Sequence, residues 1–433
     1  MKKRNILILV PYLTVYLLLY DEKAYSLDYN SKNSKRDNTF NVFFLEKANT
    51  PKFLLGQEIS SLFKVVNTND RNIYLKIRLR LQGTYEDYEV IDKNTGVKKT
   101  DIWIGYLRRE RIEAKLGLDK GVYFAMDIRN DRSSYKNRGL QQIKLGNAYL
   151  SIEKPFGNSL INFRIFKAKI DISRTETVKS TWILHHDRPL VADFSAQFIS
   201  YNRNSVNFQI FGNWKHKIHY QFAVGKGIYS GKFKDIKGQD IKKVGGAIKG
   251  QDLFYGGKII ISPFSGWEEK KRTETYFGIG KHIEFGIGYW KLPNIRFVDS
   301  AGKGSMDRTL LNYEFSLHYK NFFLGWEYFK FDGIEKNFSD IKREIGKSDG
   351  WYVKGEYVFP SFYYIAPFGR YEEWNKWNSG ESGYKLKSKV IGVNWYLKGN
   401  SIRLGIAYQE DDYGLNIGNK KIKRYKLVSQ IYF

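Results

Sequence analysis

Apolar and polar residues alternate with a period of two along most of this chain, beginning at Ile73. Side chains of an extended strand point alternately to its two faces, so this alternation predicts β-strands with one apolar and one polar face. In residues 73–83 the apolar face is purely aliphatic and consists of Ile73, Leu75, Ile77, Leu79 and Leu81. The opposite face consists of Tyr74, Lys76, Arg78, Arg80 and Gln82. Because adjacent like charges repel, three cations on one face favour a surface to which anions are attracted.

The same alternation recurs further along the chain. It is clearest in residues 122–129, 161–165, 217–224, 311–319, 351–359 and 402–409. Segments of about ten residues, separated by clusters of Gly, Asn, Asp and Lys, recur about 16 to 18 times before the end of the chain. An apolar face for lipid and a polar face for a lumen are typical of a transmembrane antiparallel β-barrel. We therefore predict an all-β fold with one barrel domain over residues 73–433.

The two ends of the chain point to export. Lys2, Lys3 and Arg4 precede a short apolar core, and small residues allow cleavage after Ser26, so residues 1–26 are predicted to be a signal peptide. Residues 27–72 are polar at first and then mixed, and a helix, an added strand and a periplasmic plug all remain open for them. The last strand ends on Phe433, which resembles the assembly signal of outer-membrane barrels.

Composition narrows the function. The chain has 433 residues, no Cys, 17% aromatic residues and a formal charge of +27. Its mean hydropathy of −0.50 argues against a helical membrane protein but suits a barrel with a polar lumen. A basic chain could also bind nucleic acid, but it contains no basic helix or nucleic-acid-binding motif. Basic loops could instead neutralise lipid headgroups, so the charge alone does not establish an anion pore.

Several stretches resemble the phosphate-selective porin O and P family. They are residues 107–117 with their arginine pair, 146–150, 163–169, 368–371, 392–397 and 402–408. The resemblance implies a 16-stranded homotrimer with water-filled lumens and an anion preference set by basic pore residues. The chain departs from the family where Arg164 and Ile165 replace a Gly-Gln pair and Lys169 stands near a Pro position. That departure puts in doubt both the inward folding of the next loop and selectivity for phosphate.

Basic residues on the polar strand faces are the candidate pore lining. Arginine can donate two parallel hydrogen bonds to phosphate, whereas lysine acts as a point charge. The candidate anion-binding residues are Lys76, Arg78, Arg80, Arg109, Arg111 and Arg164. The alternative is that they pair with carboxylates of neighbouring strands, and Glu113 shares a face with Arg109 and Arg111.

Residues 171–193 are the candidate constriction loop, with an exposed extracellular loop as the alternative. Its basic residues are Arg174, Lys179, His185, His186 and Arg188. Partly charged histidines would make conductance sensitive to pH near neutrality.

These features predict a porin of the bacterial outer membrane that passes small anions such as phosphate by passive diffusion. A general or sugar porin and a plugged or adhesive surface barrel are the alternatives. We expect no enzymatic activity, no cofactor, no metal and no nucleic-acid partner. The expected partners are small anions, outer-membrane lipid, the barrel assembly machinery acting through the last strand, and two further copies of the chain.

Overall fold

The computed structural model describes residues 40–44, 63–67, 72–131, 143–200, 206–228, 247–277, 280–299, 302–335 and 345–433. The expected signal peptide lies outside these ranges. The strands are β1 (Phe40–Phe44), β2 (Phe63–Asn67), β3 (Tyr74–Asp92), β4 (Lys98–Asp119), β5 (Val122–Arg129), β6 (Lys144–Ile152), β7 (Asn162–Lys167), β8 (Asn207–Trp214), β9 (Ile218–Lys226), β10 (Ala247–Gly250), β11 (Leu253–Ile261), β12 (Lys281–Asp299), β13 (Gly302–Tyr319), β14 (Phe322–Glu335), β15 (Ile345–Tyr357), β16 (Ile365–Asn375), β17 (Lys385–Asn400), β18 (Ile402–Tyr413) and β19 (Lys420–Tyr432).

Within the described residues, helical structure is confined to short pieces. The helices are α1 (Arg174–Thr177) and α2 (Leu190–Phe198), and the 3₁₀ turns are Glu269–Arg272, Pro360–Phe362, Ser382–Tyr384 and Leu415–Ile417. No helix in the described ranges is long and apolar enough to cross a membrane.

The sheet closes into a barrel. Sequential strands pair antiparallel, and β19 returns to β3 with Tyr432 opposite Arg80 and Lys420 opposite Asp92. The closed wall has 16 strands, β3 to β9 and β11 to β19. β10 is a short additional strand that pairs with β12. The predicted antiparallel barrel is therefore confirmed. Closure leaves no open strand edge within the 16-strand wall, which is the condition for a sheet to lie in lipid.

The alternation in the sequence corresponds to the outside and the lumen of this wall. In β18 the outward Ile406 is 67% exposed, whereas the inward Gln409 is 3% exposed. A soluble sheet would bury the isoleucine and expose the glutamine. The usual burial is reversed because polar segments of the chain fill the lumen and cover the inward side chains, whereas no protein covers the outer face in this structure.

Residues 27–72, whose structure the sequence left open, contribute two short strands. β2 pairs with residues 74–77 of β3, on the same edge that β19 occupies further along. The end of β19 is fixed next to it, because Phe433 exchanges backbone hydrogen bonds with Leu79. β2 and β19 therefore lie end to end along the same edge of β3. β1 pairs with the other edge of β2.

Two connections enter the lumen from opposite ends. β7 runs in the direction of β3 and leads into residues 168–206, of which 168–200 and 206 are described; we call residues 168–200 the inserted loop. β11 runs the other way and leads into residues 262–280, of which 262–277 and 280 are described; we call this part the second insert. The inserted loop packs α2 against the wall, where Phe198 is fully buried and its ring lies 5.2 Å from that of Phe331.

Replacing Phe198 with alanine should loosen α2 without opening the barrel. Loss of a buried aromatic side chain costs about 3 to 5 kcal/mol, because transfer and cavity terms add. Hydrogen exchange of the α2 amides in the lipid-reconstituted protein should show an opening free energy lower by about that amount.

The matched control is Phe264→Ala, since Phe264 lies on the second insert and is 74% exposed. It should leave exchange at α2 unchanged. Equal exchange at α2 in wild type and Phe198→Ala would contradict the packing described above.

Candidate pore and constriction

Polar contacts attach the inserted loop to three separate parts of the wall. Arg80 of β3 donates to Ser180 Oγ at 2.7 Å, Asn394 of β17 donates to the Leu184 carbonyl at 3.0 Å, and Arg403 of β18 donates to the Ile183 carbonyl at 2.6 Å. These wall residues are buried in the structure. Residues 171–193 therefore lie in the lumen, despite the departure from the family pattern at Arg164, Ile165 and Lys169.

The second insert meets the inserted loop inside the barrel. The backbone amide of Leu184 donates to the Glu274 carboxylate at 2.9 Å, and the Glu274 amide donates to the Trp182 carbonyl at 2.8 Å. Lys354 of β15 also binds Glu274. These hydrogen bonds join two inserts that start at opposite ends of the barrel. Displacement of one insert therefore breaks its contacts with the other.

A buried network of charges joins both inserts to the wall. Asp171 of the loop lies 3.1 Å from Arg272 of the second insert and 3.6 Å from Lys258 of β11. Arg272 and Lys258 both also bind Glu314 of β13. Burial raises the pKa of Asp171, but Lys258 and Arg272 outweigh it and lower that pKa to about 2. Asp171 is therefore ionised in this network.

One glycine makes room for the network. Gly286 of β12 lies opposite Glu314, and a Cβ atom at this position would come 2.5 Å from Glu314 Cγ. Because Gly286 has no side chain, the Glu314 side chain can pass over it and reach Arg272.

The inserts cover one side of the lumen more completely than the other. On β12 to β17 many polar inward side chains are at most 1% exposed, namely His282, Glu284, Asn312, Ser316, His318, Glu327, Glu372 and Ser388. On β3 to β7 the inward side chains of Tyr74, Lys76, Arg78, Lys115, Tyr123, Tyr149 and Arg164 are half-buried. The more exposed inward side chains therefore lie on β3 to β7, although Gln82 and Ser151 of the same strands are fully buried.

Three lysines form a row across this side. Lys64 of β2 lies opposite Lys76 of β3, which lies opposite Lys115 of β4. Directly opposed residues project from the same face of a sheet, so the three ammonium groups share the lumen side. Sequence analysis missed Lys64 because the mixed pattern of residues 27–72 did not identify β2.

Arg78, Arg164 and Lys179 extend the lysine row, and we call the six cations the basic lane. Lys179 of the inserted loop lies near Arg78, and its pKa is lowered by burial and by that neighbouring charge. Aromatic rings lie against the cations: Lys115 Nζ is 3.5 Å from the centre of the Tyr123 ring, and Arg164 Cζ is 4.7 Å from that of Phe211. Attraction to a ring face stabilises a cation without cancelling its charge.

Carboxylates also lie near the basic lane. Glu113, Glu153 and Glu269 interact with its cations, and Tyr123 donates a hydrogen bond of 2.7 Å to Glu153. Among the described residues, the six cations of the basic lane outnumber these three carboxylates.

A second row of cations consists of three arginines that form ion pairs with nearby carboxylates. Arg80 lies opposite Arg111, which lies opposite Arg129. Each binds a carboxylate: Arg80 binds Glu113, Arg111 binds Asp131 and Arg129 binds Asp127. Glu113 thus pairs with Arg80 and not with Arg109 or Arg111. Arg109 donates to Gln82 Oε1 at 2.6 Å and is buried.

Most of the basic residues predicted to line the constriction instead hold the inserted loop in position. Arg174 lies 3.4 Å from Glu284, and Arg188 donates to the carbonyls of Thr175 and Val178 at 2.8 and 3.0 Å. His185 and His186 are buried between the loop and the wall. Burial, reinforced by nearby Lys426 for His185 and by Arg403 for His186, lowers both pKa values well below 6.5. Both rings are therefore neutral at pH 7, contrary to the partial charge that the sequence suggested.

Arg108 is an inward residue that strict alternation assigns to the outer face. A register shift between Gln82 and Gly83 makes Arg108 an extra residue in β4, between two paired positions. Its Nη2 atom lies 2.6 Å from Asp187 Oδ1. Burial raises the pKa of Asp187, yet Arg108 and Lys426 hold it well below its usual value. The sequence carries no glycine or other signal at Arg108 from which the bulge could have been predicted.

The described residues contain no group of His, Asp and Glu side chains arranged to hold a metal ion.

Comparison with known proteins identifies the fold. No protein-family model matches the chain, and no curated protein matches it. Among solved structures, OprB of Pseudomonas putida at high pH has 11% identity and a TM-score of 0.53, over 83% of this chain and 94% of that one. The anion-selective porin from Comamonas acidovorans has 9% identity and a TM-score of 0.54, over 83% of this chain and 99% of that one. The chain therefore has a porin fold, while membership of the phosphate-selective family stays a prediction.

Proposed function

We propose that this protein is a bacterial outer-membrane porin that passes small anions by passive diffusion along the basic lane. The observation that carries the proposal is the cross-strand row of Lys64, Lys76 and Lys115, continued by Arg78, Arg164 and Lys179 on the half-buried side of the lumen. A row of cations in a water-accessible passage attracts anions while leaving several weak sites between which they can move. Diffusion of this kind needs no bond-making chemistry, so we propose no enzymatic activity.

Phosphate is the anion that we propose within this class. Arg78 and Arg164 each carry a planar guanidinium, which can donate two parallel hydrogen bonds to a phosphate group. Neighbouring lysines would supply point charges along the approach. A general or sugar porin is the second candidate, because the rings of Tyr123, Tyr149 and Phe211 lie against the basic lane and could contact a sugar.

A plugged barrel is the alternative that the two inserts support. Together they bury most inward side chains of β12 to β17. Absence of conductance in reconstituted protein would favour this alternative over the porin.

Location and assembly belong to the same proposal. The porin fold and the signal peptide expected at residues 1–26 support export to the outer membrane, in contact with its lipid. The Phe433 end of β19 supports recognition by the barrel assembly machinery. The resemblance to trimeric porins supports a homotrimer.

Neutralising the lysine row should weaken anion preference. A lysine about 4 Å from an ion in water stabilises it by about 1 kcal/mol, which corresponds to about fivefold in occupancy. The triple variant K64Q/K76Q/K115Q should therefore lower the anion-to-cation permeability ratio by about fivefold or more. The measurement is the reversal potential in planar bilayers under a KCl gradient.

The charge-matched control is K99Q/K347Q/K387Q, which removes three exposed lysines outside the basic lane. It should retain most of the preference. Cation preference in the wild type, or equal effects of the two triple variants, would count against the basic lane as the selective path.

Acid should destabilise the inserted loop through its histidines. Each ring is neutral in the folded protein and titrates near pH 6.5 once exposed, so the open state binds more protons below that pH. The stabilisation is complete above about pH 6.5 and falls by up to about 1.4 kcal/mol per pH unit for each histidine below it. Conductance should not respond to these residues between pH 7 and 8.

The measurement is hydrogen exchange of residues 180–188 between pH 7 and 5, corrected for intrinsic exchange rates. The variant H186Q should show a shallower decline in opening free energy than wild type. Identical slopes would show that His186 does not titrate on opening.

A further inference from the structure

Two adjacent glutamates, Glu268 and Glu269, lie on the second insert at the start of its 3₁₀ turn. Glu268 directly precedes the turn, and Glu269 is its first residue. The proposed function assigns no role to either side chain. Their surroundings differ, however, because the segment that carries them is anchored at both ends.

Ring contacts fix the beginning of this segment beside the basic lane. Trp267 stacks on His219 of β9, with ring centres 3.7 Å apart and planes at 4°, and the Trp267 amide donates to the His216 carbonyl at 2.6 Å. The His219 ring lies 6.5 Å from the Phe211 ring on β8. The centre of the Phe211 ring lies 4.7 Å from Arg164 Cζ, in the basic lane. Only two rings therefore separate Trp267 from a cation of the lane.

Ion pairs fix the end of the segment. Arg272 is the last residue of the 3₁₀ turn, and it lies 3.1 Å from Asp171 and 2.9 Å from Glu314. Because Trp267 and Arg272 are both anchored, the backbone between them is confined to the part of the lumen next to the basic lane.

The two glutamates within this segment have different partners. Glu268 binds Lys271 of the same turn at 2.7 Å. Glu269 is exposed, and no ion pair or hydrogen bond joins its carboxylate to a side chain that the structure describes. Its charge acts at longer range on four of the six cations of the basic lane, namely Arg78, Lys115, Arg164 and Lys179.

An exposed carboxylate among four cations is an anion that belongs to the protein. It lowers the positive potential that a mobile anion meets in the lane. It acts on all four cations together, because it is not bound to any one of them. Conduction requires sites that are weak enough for an ion to leave, and a fixed negative charge near the lane weakens them.

We propose that Glu269 sets the strength of anion selectivity in the basic lane, as a tethered anion that competes with permeating anions for four of its six cations. This inference rests on the proposed function, because it concerns ions that pass along the lane. The second insert then takes part in permeation, in addition to holding the inserted loop. Glu268 has no such effect, because its charge is paired with Lys271.

Neutral variants of the two glutamates form a matched pair, since E269Q and E268Q each remove one negative charge from adjacent positions. The measurement is the anion-to-cation permeability ratio, obtained from reversal potentials in planar bilayers under a KCl gradient. E269Q should raise this ratio by roughly threefold, which is the effect of a unit charge several ångströms from an ion in water. E268Q should leave the ratio close to that of wild type.

Cysteine chemistry at the same position separates the effect of charge from an effect on structure. The chain contains no cysteine, so E269C introduces a single thiol. E269C should behave as E269Q does. Reaction with an anionic methanethiosulfonate restores one negative charge and should return the ratio toward wild type, whereas a cationic methanethiosulfonate should raise it further.

Equal ratios in E269Q and E268Q would overturn the proposal. So would a ratio in E269C that does not depend on the sign of the attached charge. Cation preference in the wild type would contradict the proposed function alone, because the difference between E269Q and E268Q would still report whether Glu269 acts on the permeating ions.

Discussion

Charge compensation inside the barrel is the constraint on which the rest of this structure depends. Asp171, Arg272, Lys258 and Glu314 bring together the inserted loop, the second insert and two strands of the wall. Removing one member of such a network leaves a buried charge without a partner and costs about 3 to 5 kcal/mol, whereas the intact pairs need contribute little net stability. Its main effect is therefore positional. The network fixes Asp171, where the inserted loop begins, and Arg272 of the second insert against β11 and β13.

The same principle separates two kinds of cation in the lumen. Arg80, Arg111 and Arg129 have carboxylates within reach, so their charges are largely cancelled where they stand. In the row Lys64, Lys76 and Lys115, the residue directly opposite each lysine is another lysine, and Lys115 also lies against the Tyr123 ring.

The sequence predicted the barrel and the inward direction of Lys76, Arg78 and Arg80, because both depend on a local alternation of two residues. It could not assign partners to Arg80 or Arg111, since Glu113 and Asp131 lie on other parts of the sheet and the register was unknown. The bulge at Arg108 changed the direction of one residue with no local signal. Nothing in the sequence indicated that the second insert enters the lumen, because its position rests on contacts with residues about a hundred positions away, such as that of Arg272 with Asp171.

The position of β2 has a consequence for the order of folding. The lysine row is made of near neighbours in sequence, because β2, β3 and β4 follow one another as hairpins. The seam beside it joins distant parts of the chain: Gln82 contacts Gln430 across a separation of 348 residues. Contacts between near neighbours form faster than those that require a long loop to close. We therefore expect the lysine row to form before the seam closes. Because β2 occupies residues 74–77 of β3, β19 can pair with β3 only from Leu79 onward, so a strand near the beginning of the chain limits where the last strand ends.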